Sequence, residues 1–88
     1  MTQEMIKDAF KRAEMDYRYT LGRVKYFYNK GEFDRIPWER LNKNDDIMNT
    51  AIIMMMSVEF KSERVKARVL ERMTNTYNDL DEKRAKFF

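Results

Sequence analysis

No glycine or proline occurs from Trp38 to Phe88, and the whole 88-residue chain contains only Gly22, Gly31 and Pro37. So few backbone breakers among so many Lys, Arg, Glu, Met and Leu residues point to an all-α fold. The expected architecture is a long antiparallel helical hairpin. A short helical turn lies in its connector, and the chain associates with itself.

The first helix is placed at about 3–29. Thr2 can cap it, and Glu4 in its first turn suits the positive end of the helix dipole. Ile6, Phe10, Ala13, Tyr17, Leu21, Val24 and Tyr28 recur at spacings of three and four, which makes a core-facing stripe. Gly31 follows Asn29 and Lys30 as a C-terminal cap. Gly22 falls inside the stripe's span and costs about 1 kcal/mol relative to Ala. It marks either a kink or the close approach of another chain.

The connector is placed at 30–44, with a short helix at about 37–42 opened by Pro37. Phe33, Ile36, Trp38 and Leu41 anchor it. The second long helix is placed at about 45–85, with Asn44 as its cap and Asp45 and Asp46 in its first turn. Its stripe, Met48, Ile52, Met55, Val58, Ser62, Val65, Val69, Met73, Thr76 and Leu80, keeps phase through Ser62. A continuous helix is about 60 Å long, against about 40 Å for the first. The phase favours one long helix, straight or bent. A break between Ser57 and Ser62, giving three helices, is the other arrangement. A chain this short is read as a single helical domain, 1–88. It buries only about 60% of its unfolded surface.

Composition excludes most chemistry. There is no Cys and no His. Disulfides, thiolate nucleophiles, the common zinc sites and the usual triad base are therefore absent. No phosphate-binding glycine loop and no nucleophile motif is present. The acidic groups Asp45-Asp46 and Asp79, Asp81, Glu82 lack calcium-loop spacing. No catalytic residue, metal or cofactor is assigned, and the chain is read as a non-enzyme. The longest apolar run, Ala51 to Met56, is far shorter than the ~20 residues of a membrane span. With no signal-peptide pattern at the start, these features point to a soluble, cytoplasmic protein without a membrane partner.

Three surfaces are candidates for binding. Six consecutive apolar residues, Ala51 to Met56, cover every side of a helix. A single chain has too few segments to wrap them. Ile52, Ile53, Met54, Met55 and Met56 are therefore the expected oligomer interface, with a second copy as partner. On the first helix, Lys7, Lys11, Arg18 and Lys25 fall within about 40° of one another. Beside them lie Met15, Tyr19 and Tyr26. On the second, Lys61, Arg64, Arg68 and Arg72 form a basic stripe within about 80°. Aromatic rings beside cations suit base stacking and phosphate neutralisation. The expected ligand contacts are Lys11, Arg18, Tyr19, Lys25, Tyr26, Arg64 and Arg68. The expected ligand is an anion, a nucleotide or nucleic acid.

A different reading docks a host protein on Met54 to Met56, Trp38 and the Phe87-Phe88 tail, because aromatics and Met populate interface cores. No specific family motif is matched. In style, the small size and the basic, aromatic, Met-rich helices resemble accessory proteins of phages and other mobile elements. That resemblance implies an inhibitor or adaptor that blocks a host factor.

Overall fold

A computed structural model describes residues 2–87 and is all-helical, with no strand among them. Its elements are α1 (Gln3–Asn29), a one-turn 3-10 segment (Phe33–Arg35), α2 (Trp38–Met56) and α3 (Glu63–Phe87). Of the two arrangements compatible with the sequence, the three-helix one is found. No helix among the described residues is long and apolar enough to cross a membrane.

α1 ends where its capping chemistry dictates. Thr2 is extended, and its side-chain oxygen accepts a hydrogen bond from the Met5 N–H. At the other end Gly31 has φ of 73°, a left-handed conformation that costs glycine little. The Gly31 N–H then bonds to the Tyr28 carbonyl, and the Glu32 N–H reaches the Phe27 carbonyl at 2.9 Å. This paired closure satisfies two carbonyls that the helix end would otherwise leave open. Ile6, Phe10, Ala13, Tyr17, Leu21 and Val24 are buried as their spacing predicts. Tyr28 differs: it is 42% exposed, with its ring edge-on to Phe33 and Phe87.

The connector is shorter than expected, because α2 begins at Trp38 and absorbs both the turn at 37–42 and the start placed at 45. Nothing between Trp38 and Met56 breaks a helix, so the register continues. Asn44 is not a cap. It is buried inside α2, and its side-chain amide donates to the Asp16 carboxylate on α1. Asp45 and Asp46 consequently lie in the middle of α2 rather than in a first turn.

The expected continuous helix is interrupted at 57–62. The Ser57 N–H closes α2 on the Met54 and Met55 carbonyls, and the Ser62 hydroxyl accepts from the Val65 N–H to open α3. In an unbroken helix Val58 and Phe60 would stand about 160° apart, so both could not reach one core. With the break, both pack against it. The break also folds α3 back along the first two helices instead of leaving it unpartnered.

α1 and α2 run antiparallel: Asp16 meets Arg40 and Asn44, while Ile6 and Ala9 share a groove with Ala51 and Met54. α3 runs parallel to α1, with Leu80 beside Leu21 and Phe87 beside Lys25 and Tyr28. The fold is thin, with Cα extents of 51 × 23 × 14 Å.

Candidate functional site

The polar chemistry of the α1–α2 seam centres on Asp16. The Arg40 guanidinium grips its carboxylate with two N–H groups, the Nε contact measuring 2.9 Å, and Asn44 adds a third donor. The Arg40 and Asn44 hydrogen bonds hold the Asp16 carboxyl below its ordinary range. A carboxylate fixed in its charged form joins two helices and is a poor proton acceptor. Tyr77 on α3 is pushed up to about 12, first by burial and then by Asp45 beside it. Burial also raises Tyr17, against the opposing influence of Arg84. All three shifts have a packing explanation.

The outward surface of α1 carries the features that packing does not explain. Tyr19 and Tyr26 are 58% and 54% exposed. Between them stands Arg23, whose guanidinium lies 5.9 Å from the Tyr19 ring centre and 5.3 Å from that of Phe27. Arg40 approaches Tyr19 from α2 at 5.8 Å, and the Lys30 ammonium lies 4.8 Å from the Tyr26 ring. Tyr19, Gly22, Arg23, Tyr26 and Phe27 together line a hollow of about 560 Å³.

A second hollow follows the seam between α1 and α3. It holds about 230 Å³ and is lined by Arg18, Leu21, Gly22, Lys25, Leu80 and Lys83. Lys25, Lys83, Lys86 and Phe87 border a further hollow of about 300 Å³ at the same end. Arg18 is paired with Glu14 at 3.1 Å and Lys86 with Glu82 at 3.7 Å. Lys25 and Lys83 make no ion pair among the described residues.

Gly22 lines both hollows. It lies in the interior of a 27-residue helix, where glycine costs about 1 kcal/mol relative to Ala. A Cβ built on it would meet nothing within 4 Å. No neighbouring element therefore requires its missing side chain. The position is a low saddle on α1, with aromatic rings on one flank and cations on the other.

The sequence-based site residues divide accordingly. Tyr19 and Tyr26 come together at one hollow, and Arg18 and Lys25 at the other. Lys11 lies apart from both hollows and pairs with Glu14 at 3.7 Å. Arg64 and Arg68 are exposed on the N-terminal part of α3. Arg64 is roughly 24 Å along the helix from Leu80, and so lies away from the hollow that Arg18 and Lys25 line. Arg64 and Arg68 make no ion pair among the described residues, although the interleaved glutamates offered them partners. Arg23, Lys30, Lys83 and Arg40 were missed. Tyr19-Arg23-Phe27 and Tyr26-Lys30 each show the four-residue spacing that stacks side chains along a helix, a signal that was available. Lys83 and Arg40 reach the site only through the tertiary fold.

The apolar girdle is not uniformly exposed. Met55 is fully buried, Ile52 and Met54 are half-buried, and Ile53 and Met56 are 56% and 57% exposed. Met56 and Trp38 stand at opposite ends of α2, roughly 25 Å apart. Phe87 packs near Tyr28 and Lys25, and Phe88 lies outside the described residues. The anchors named for a protein partner are therefore spread along the molecule. Among the described residues no group of three or more metal-ligating side chains gathers. No protein family, curated protein or solved structure matches this chain.

Proposed function

We propose that this chain is a non-catalytic helical binding protein that captures an anionic, base-bearing ligand, a nucleotide or nucleic acid, across the Gly22 saddle of α1. The observation that carries the reading is the placing of Gly22 between the two hollows. Packing gives no reason for a glycine there, and a ligand lying across the helix does. Bases stack on Tyr19 and Tyr26, and phosphates meet Arg18, Lys25 and Lys83. Base–aromatic stacking contributes about 1–3 kcal/mol per base without demanding a sequence. Arg23, held against Tyr19 and Phe27, adds a cation at the edge of the stacking surface. The absence of His and Cys supports a binding role over a catalytic one.

The saddle makes a test in which stability and binding move in opposite directions. Gly22→Ala raises the melting temperature, because Ala is the better helix former and its Cβ finds open space. Gly22→Leu also folds but raises a side chain between the hollows and weakens binding of a fluorescent single-stranded oligonucleotide. Binding falls with added salt in proportion to the phosphates contacted. Titrations with the oligonucleotide and with mononucleotides separate the two ligand sizes. Unchanged oligonucleotide and mononucleotide affinity in Gly22→Leu and in a Tyr19→Ala, Tyr26→Ala double variant would sink the reading.

A further inference from the structure

A different surface lies between α1 and α2. There, Ile6, Ala9, Ile47, Thr50, Ala51 and Met54 floor a groove of about 600 Å³. The groove exists because two of its floor positions are alanines, whose short side chains leave the helices' shared edge hollow. The apolar surface continues past its end. Ile53, on the same ridge of α2 as Thr50, is 56% exposed, and Met5, one turn before Ala9, is 54% exposed.

The chain's surface area indicates what such a face requires. A compact monomer of 10.8 kDa is expected to expose about 5,500 Å². This chain exposes 6352 Å². The excess of roughly 800 Å² goes with the thin shape of the chain and is comparable to the area each partner contributes to a standard interface. The radius of gyration leads the same way: it is 14.8 Å, against about 12 Å for a compact domain of this length. The rim of the groove also carries both signs, with Glu39 and Asp46 beside Lys43. In a two-fold pair each contact occurs twice. Lys43 of one copy can then oppose Asp46 of the other, and the reverse, with no like-charged rims facing.

We infer that the α1–α2 groove is the interface of a two-fold homodimer, with a second copy of this chain as its occupant. The assignment moves the self-association surface from the whole Ile52 to Met56 girdle to its groove-side part, Met54 with Ile53, joined by Ile47 and α1. It is independent of the ligand reading, because no residue of the Gly22 saddle lines the groove.

The experiment is sedimentation equilibrium across the micromolar range, with circular dichroism to confirm helicity in each variant. The wild-type chain sediments at twice its chain mass. Ile53→Glu alters an exposed position and leaves the fold intact, and Met54→Glu places a charge in the groove itself. Each weakens the dimer by about tenfold or more, since an unpaired charge is buried at the interface. Lys43→Asp alone weakens it, and adding Asp46→Lys to the same chain restores it. A wild-type chain that stays monomeric overturns the inference and leaves the groove to a helix of another protein. A dimer that survives both glutamate variants also overturns it, by placing the contact elsewhere.

Discussion

α3 is nearly as long as α1, 25 residues against 27, and shows an equally regular apolar stripe, yet the two are held very differently. α1 buries seven residues, and α2 five in only 19. α3 buries two, Met73 and Leu80. The seam between α1 and α2 has an interdigitated core and the Asp16–Arg40–Asn44 clasp across it. α3 is held from Val69 onward, by Val69, Leu70, Met73, Tyr77 and Leu80 and by the Phe87 contact with Tyr28. Its first turns, with Arg64, Val65 and Arg68, are exposed. Periodicity places side chains on one face of a helix, but whether that face is covered depends on what the tertiary fold sets against it.

The largest test of this contrast removes one methionine side chain from each region. Met48→Ala, at a fully buried position of α2, lowers stability by about 3 kcal/mol. Met73→Ala in α3 costs visibly less, and equal losses in chemical denaturation would abolish the distinction. Next comes the clasp. Asp16→Asn costs about 1 kcal/mol, discounted because the side chain is 31% exposed. Asp16 ionises more readily when folded than when unfolded. Its contribution is therefore present above pH 3.8 and is lost as the pH falls through the lower folded value. Acid titration of the wild type should steepen there, and the Asn variant should lack that component.

Tyr77 supplies the opposite pH sign for α3. Its phenol titrates near 10 when unfolded and at about 12 in place. The docked state binds more protons over that interval, so stability falls as the pH rises from 10 to 12. Trp38, beneath the Arg84 guanidinium at 5.9 Å, reports the loosening by fluorescence, and Tyr77→Phe flattens the profile. The smallest effect belongs to Val65→Lys. It changes a residue that is 47% exposed and shifts stability by no more than about 0.5 kcal/mol.

α1 was the most legible part, because its signals are local: a threonine cap, a glycine beyond the last turn and an uninterrupted stripe. The start of α2 was less so. An asparagine that caps a helix and one that reaches across to another helix look alike in sequence, and Asn44 is the second kind. The break at 57–62 carries no Gly or Pro; its local mark is Ser62, whose hydroxyl accepts from the Val65 N–H, and it lets both Val58 and Phe60 pack against the core. In the candidate site, the pairing of Tyr19 with Tyr26 was visible on the wheel. The joining of Arg18 and Lys25 to Lys83 depends on how α3 returns. For the same reason Arg64 and Arg68 lie away from the hollow of Arg18, Lys25 and Lys83.

The break at 57–62 also orders events in time. Both partners of the α1–α2 seam lie within the first 56 residues, and the clasp of Asp16 with Arg40 and Asn44 needs no residue of α3. A growing chain emerges amino-terminus first, so the helical pair is free to form before α3 exists. Until Met73 and Leu80 arrive, the side of the pair that receives α3 is open to water and to neighbours. α3 is thus the cover of that apolar side, and the side stays exposed until Met73 and Leu80 dock on it.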